Sequence, residues 1–208
     1  YPDITLEDIK NFRQLNSKTA GHPEYGHISG IETTTGPLGQ GLGNAVGMAI
    51  AEEFIGKKWG SNLCDHYTYV IAGDGCLMEG ISQEVISLAG KLKLKKLIVI
   101  WDDNGITIDG GVDLSCTTDQ ISRFESSGWS TFSCDAHNPI EIDQAINNAK
   151  RDNRPSLIAA KSIIGYGSTA KQGTSGAHGA PLGKSEVEQL RKNFDWQYKE
   201  FAIPSNIK

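Results

Sequence analysis

Residues 67–80 read YTYVIAGDGCLMEG and residues 97–110 read LIVIWDDNGITIDG. Each opens as a continuous apolar, β-branched run, at 67–72 and at 97–101. That is the pattern of strands covered on both faces of a parallel sheet. Between them, residues 79–93 carry Ile81, Val85, Leu88 and Leu92 at helical spacing, so 67–101 reads as a βαβ unit with its crossover helix. The same logic extends downstream. Two more expected strands, at 129–133 and 157–160, flank a helix expected near 139–150, where Pro139 suits the first turn and Ile142, Ala145, Ile146 and Ala149 form the stripe. The expected fold class is α/β, an open, mostly parallel sheet flanked by helices.

Upstream, Thr5 and Asp8 have the spacing of a capping box and Leu6, Ile9 and Phe12 share a stripe, predicting a helix over about 6–14. Residues 21–43 are rich in Gly, Thr and Pro and read as a long irregular connection, a kind of segment that is usually functional. Residues 44–54 read as a buried helix of small side chains. A second glycine-rich stretch at 165–183 precedes a polar helix predicted at about 185–194, with Ser185 and Glu188 as another capping box.

The 208 residues suit one α/β domain with one core, and 38% hydrophobic with 22% charged residues is ordinary for a soluble fold. A net charge of −5 argues against nucleic acid as a partner, and the lysine run at 91–96 reads as an exposed helix end complementing the helix dipole. Cys64, Cys76, Cys116 and Cys134 form no CxxC pair and read as reduced thiols. No stretch approaches the roughly 20 apolar residues of a membrane helix, and no signal pattern opens the chain, so no membrane and a cytoplasmic location are expected. A start at Tyr1 rather than Met suggests a piece of something longer.

Open parallel sheets bind ligands beyond the carboxyl ends of their strands. There, Asp74 stands between Gly73 and Gly75, and Asn104 and the main-chain oxygen of Ile106 follow the second strand. All are hard oxygen donors. Magnesium commonly takes one or two protein carboxylates plus substrate phosphates, so this set would leave room for a diphosphate. A plainer reading is that Asp74 caps the following helix and Asn104 tolerates a tight turn. The separation, 104 − 74 = 30 residues, is about one βαβ length and places both at the same sheet edge, which favours a shared ion.

The pairing of GDG with a later Asn resembles the signature of thiamine diphosphate enzymes. In the form GDGCLMEG followed by DDNGITIDG it resembles the transketolase family, as do TTTGPLGQGLGNAVGMA at 33–49, IGYGS at 164–168 and HGAPL at 178–182. Dehydrogenase E1 subunits and deoxyxylulose-phosphate synthase share the metal motif but not the GPLGQG and HGAPL segments.

The resemblance implies that Asp74, Asn104 and the Ile106 main chain hold a magnesium ion, with calcium able to take its place. It puts Gly75 and Asn104 against the diphosphate and Gly36, Pro37 and Leu38 against the aminopyrimidine ring. Ile108 and Ile164 become apolar neighbours of the cofactor. His22 and His178 match family histidines that face substrate and cofactor, His178 near the diphosphate; His27, His66 and His137 match no motif. Glu79 and Glu84 match acidic positions of the family's dimer interface, although first-turn helix acids are the plainer reading.

The implied activity is thiamine diphosphate-dependent transfer of a two-carbon ketol unit from a ketose phosphate to an aldose phosphate, in the pentose phosphate pathway, by a homodimer. Family members carry an upstream histidine-bearing segment and a downstream pyrimidine-binding domain that supplies the activating glutamate. Residues 1–208 are therefore expected to be a partial N-terminal, diphosphate-binding domain, with pyrimidine-binding and C-terminal domains absent and little activity alone. A split subunit, a 2-oxo-acid enzyme of another branch and a non-catalytic module of the same fold are the alternatives.

Overall fold

The computed structural model describes residues 3–207. They fall into two compact units, one comprising residues up to 103 together with 118–161, the other 104–117 together with 162 onward. The first holds α1 (Leu6–Lys10), α2 (Gln40–Trp59), β1 (Thr68–Gly73), α3 (Asp74–Met78), α4 (Gly80–Leu92), β2 (Leu97–Asp103), α5 (Gln120–Ser126), β3 (Ser130–Asp135), α6 (Pro139–Arg151) and β4 (Ser156–Lys161). The second holds 3-10 turns at Val112–Leu114 and Ser175–Ala177 and the helix α7 (Lys184–Asn193).

All four strands run parallel, in the order β1-β2-β4-β3. Alternate residues of the inner strands serve opposite faces, and both faces are covered. Leu97, Val99, Trp101, Leu157 and Ala159 pack with Leu42, Val46 and Ala49 of α2, Val85, Ile86 and Ala89 of α4, and Phe124 and Trp129. On the other face Ile98, Ile158, Ala160 and Cys134 pack with Ala145 and Ala149 of α6. Double coverage is why the strands read as unbroken apolar runs. It also replaces the single expected core with two clusters, one on each face.

β1 departs from the expectation of two covered faces: Thr68 and Ala72 are buried, while Tyr69 and Ile71 are exposed, Ile71 by 76%. It is an edge strand, and α6 packs mainly on β3, β4 and β2.

The helices refine the predicted boundaries. α1 has its capping box, with the Asp8 N–H donating to Thr5 Oγ1 at 3.2 Å and the Thr5 N–H to Asp8 Oδ2 at 2.8 Å, but it ends at Lys10 and buries nothing. α2 is longer than 44–54 because Gly39, at φ +80°, starts it four residues earlier than expected. α7 begins at Lys184 with Gly183 as its cap, so the Ser185–Glu188 box does not form. The short α3 and α5 lack the length for a periodic signal.

The lysine run is not simply an exposed helix end. Lys91 lies in the last turn of α4 and Lys93 caps it in the left-handed conformation, but Lys96 turns back across the fold. Its ammonium donates to Asp65 and, at 2.7 Å, to Glu52 of α2, whose side chain is 3% exposed. Asp65 first, then Glu52, hold the Lys96 ammonium well above the usual lysine range. None of the four cysteines is in a disulfide, and burial, reinforced by Glu141 and Asp135, pushes the Cys134 thiol up. Among the described residues no helix is long and apolar enough to cross a membrane.

Candidate functional site

In the first unit, Gly73 pairs with Asp102 in register, so β1 and β2 leave the sheet at the same edge. Asp74 is the first residue of α3, directly after the cap residue Gly73. The buried Asp74 Oδ1 accepts the indole Nε1–H of Trp101 at 3.0 Å. Trp101 is the one participant that sequence reasoning missed; the available signal was an indole ending an otherwise aliphatic strand, since a buried indole N–H usually finds an acceptor.

Gly75 follows at the same edge, and a Cβ there would lie 3.2 Å from Leu38 Cδ1, so the expected diphosphate and aminopyrimidine neighbours adjoin. The 21–43 loop likewise brings its two expected contributors together. Gly36 has φ +112°, a conformation open to glycine, and a Cβ on it would lie 2.4 Å from His22 Cγ. Pro37 starts the turn into α2, accepting the Gln40 N–H at 3.2 Å. His22, Gly36, Pro37 and Leu38 are all exposed. Glu79 is the cap residue of α4 without a side-chain cap bond, and Glu84 is exposed on the same helix.

In the second unit, the Asn104 side-chain oxygen accepts the Ile106 N–H at 2.9 Å, an Asx turn. The turn part of the plainer reading is therefore real, yet an amide oxygen has two lone pairs and is not used up by one donor. Gly105 follows at φ +71°, the Val112 N–H closes onto its carbonyl at 3.0 Å, and Ile106 bridges Gly111. Ile108, at the tip, is 68% exposed. Ile164 is half-buried, and its carbonyl accepts the Gly173 N–H at 2.8 Å. Gly165, at φ +64°, abuts Ala177, and exposed His178 ends the 3-10 turn with its N–H on the Ser175 carbonyl. The Glu186 carboxylate of α7 gathers Ser168 Oγ and the Thr169 and Ala170 N–H groups, and these bonds hold it below the usual carboxylate range, Ser168 contributing most.

A parallel, doubly covered sheet with glycines and a buried carboxylate beyond its strand ends defines a ligand-binding α/β domain. A family model described as "Transketolase, thiamine diphosphate binding domain" matches residues 1–208, and the chain belongs to that family. It is 55% identical over 207 residues to a transketolase of Cereibacter sphaeroides, covering 100% of this chain and 32% of that one. It is 54% identical to a transketolase of Rhodobacter capsulatus over 208 residues, covering 31% of that protein. Among solved structures, a Campylobacter jejuni transketolase superposes with TM-score 0.94 at 44% identity, covering 98% of this chain and 32% of the other. A Pichia stipitis transketolase in complex with sedoheptulose 7-phosphate gives 0.92 at 47% identity, covering 99% and 31%. The chain thus spans about a third of the length of these relatives.

Proposed function

We propose that this chain is the diphosphate-holding part of a transketolase, a magnesium-dependent transferase acting on sugar phosphates. The observation that carries this reading is Asp74, a buried carboxylate at the end of β1 whose Oδ1 is held by the Trp101 indole. Among the described residues no three His, Cys, Asp or Glu side chains gather to hold an ion. A donor set of one carboxylate with neutral oxygens suits magnesium, which completes its shell with water and ligand phosphates.

Asp74, the Asn104 side chain and the Ile106 carbonyl would hold the cation, with calcium as a substitute. Gly75 and Asn104 would meet the diphosphate, Gly75 through the close approach that a missing Cβ permits. Gly36, Pro37 and Leu38 would lie against the aminopyrimidine, and Ile108 and Ile164 would give apolar cover. Bound thiamine diphosphate supplies the nucleophilic carbon that takes up and passes on a two-carbon ketol unit. His22 would hydrogen-bond a substrate hydroxyl or carbonyl oxygen, and His178 would do so near the diphosphate and the donor carbonyl. Histidine suits both tasks because it gives and takes protons near neutral pH.

The remaining expectations belong to the same proposal: a homodimeric, cytoplasmic enzyme of the pentose phosphate pathway, with residues 1–208 a partial domain that is nearly inactive alone. Sugar phosphates as substrates are supported by the sedoheptulose 7-phosphate complex of the Pichia stipitis relative. The net charge of −5 supports the exclusion of nucleic acid.

Calorimetric titration of thiamine diphosphate with magnesium into this chain tests the reading, beside Asp74→Ala and a magnesium-free control. Magnesium-dependent binding that disappears in Asp74→Ala is the expected result. Binding indifferent to both magnesium and Asp74, in this chain and in the complete polypeptide, would sink it.

A further inference from the structure

β2 is aliphatic from Leu97 to Ile100 and then places an indole at Trp101, which is 8% exposed. Register sets Trp101 opposite Ala72, two residues before Asp74, so its side chain reaches diagonally toward the end of the neighbouring strand. A buried indole N–H needs only some acceptor, and the other buried indole of this core, Trp129, takes the main-chain carbonyl of Ile86 at 2.8 Å. Trp101 takes a carboxylate. To an ionised carboxylate that bond is charge-assisted, stronger than one to a neutral carbonyl, and it anchors Oδ1 at a set position.

We propose that Trp101 is a positioning residue for the metal: its indole N–H holds the Asp74 carboxylate in the orientation that presents it to magnesium. The proposal rests on the reading of Asp74 as a ligand. Ligating carboxylates are themselves hydrogen-bonded, and losing such a partner typically costs 10–100-fold in metal affinity. A donor on a rigid inner strand is well suited to the task, because Trp101 is packed among Leu97, Val99, Leu157 and Ala159 and has little freedom to turn away.

The test uses the complete polypeptide with saturating thiamine diphosphate, and Mn2+ as the probe, its free concentration read by electron paramagnetic resonance. Trp101→Phe keeps a ring and removes the donor. The expected result is a Mn2+ dissociation constant raised about tenfold, with kcat returning to near the parent value once Mn2+ saturates. A merely structural defect would not be repaired by metal. Should Trp101→Phe fail to fold, 3-benzothienylalanine at position 101 keeps the shape of the indole with sulfur in place of the N–H, and the same rise is expected. Parent-like Mn2+ affinity in the folded donor-less variant, with affinity lost in Asp74→Ala, overturns the positioning role alone. Parent-like affinity in Asp74→Ala as well overturns the ligand reading and this inference with it.

Discussion

The imidazole of His22 occupies the space that a side chain at residue 36 would need: a Cβ on Gly36 would stand 2.4 Å from His22 Cγ and 2.5 Å from Cδ2. Gly36 is also at φ +112°, where an L side chain is strained. Gly36→Ala should therefore cost about 1–3 kcal/mol in backbone strain and push His22 aside. Because the 21–43 loop is largely exposed, the sheet should survive. In the complete polypeptide kcat/KM for the proposed ketol transfer should fall on the order of 100-fold, the scale of a 1 Å misplacement. Steady-state kinetics beside a thermal melt checks it, and kinetics equal to the parent's would show that the position of His22 is immaterial.

Lys96 and Glu52 give a second test. Lys96→Met leaves a carboxylate that is 3% exposed without its cation, which should destabilise by about 3–5 kcal/mol. Adding Glu52→Gln should recover part of that loss, as read from urea midpoints. The pH dependence has a definite sign. Lys96 keeps its proton in the folded state to a higher pH than the unfolded chain does. Its contribution is therefore complete below the unfolded value of about 10.4 and drains away as pH rises toward the folded one. Above about pH 10.4 the parent should lose stability more steeply than Lys96→Met.

Lys96 also marks the limit of what sequence could reveal. Its partners stand 44 and 31 residues away, and nothing in a run of lysines points to them. Trp101 is similar, since its bond to Asp74 needs β1 and β2 paired in register. By contrast, β2 and β4 were legible because both of their faces are buried and every residue carries the signal. Asp74 and Asn104 were legible through their spacing. The start of α2 carries little helical signal because its first turn contains Gly41 and Gly43, whose intrinsic preference opposes a helix that packing imposes. The exposure of Ile71 was hidden because an edge strand can have the same composition as an inner one.

Gly90 separates packing from propensity. It lies inside α4, where alanine would ordinarily be favoured by about 1 kcal/mol. Yet a Cβ on it would lie 1.8 Å from the Ser127 carbonyl oxygen, a main-chain atom that cannot rotate away. The neighbouring Trp129 indole, bonded to the Ile86 carbonyl of the same helix, pins this contact. Gly90→Ala should thus destabilise by about 3 kcal/mol, at the upper end for overpacking. An unchanged or raised melting temperature would show that α4 is free to move off the 127–129 segment.

Glu186 sets the acid side of the second unit. Its carboxylate accepts from Ser168 Oγ and from the main-chain N–H groups of Thr169, at 3.1 Å, and Ala170, at 3.3 Å. Ser168 first, then the Ala170 amide, hold it below the usual carboxylate range. A depressed folded value means that the stabilisation is fully present above the unfolded value of about 4.3 and is lost as pH falls through the folded one. Protection of the Thr169 and Ala170 amides against hydrogen exchange, corrected for the intrinsic rate, should therefore drop on acidification below about pH 4.3. In Glu186→Ala, which removes the acceptor, protection should be low at neutral pH and should not change across that window. The bonds tie the 168–170 loop to α7 within the unit that carries Ile164 and His178. If the loop positions those residues, the same substitution should weaken cofactor binding at neutral pH. Equal protection in parent and variant at pH 7 would show that the loop holds its shape without Glu186.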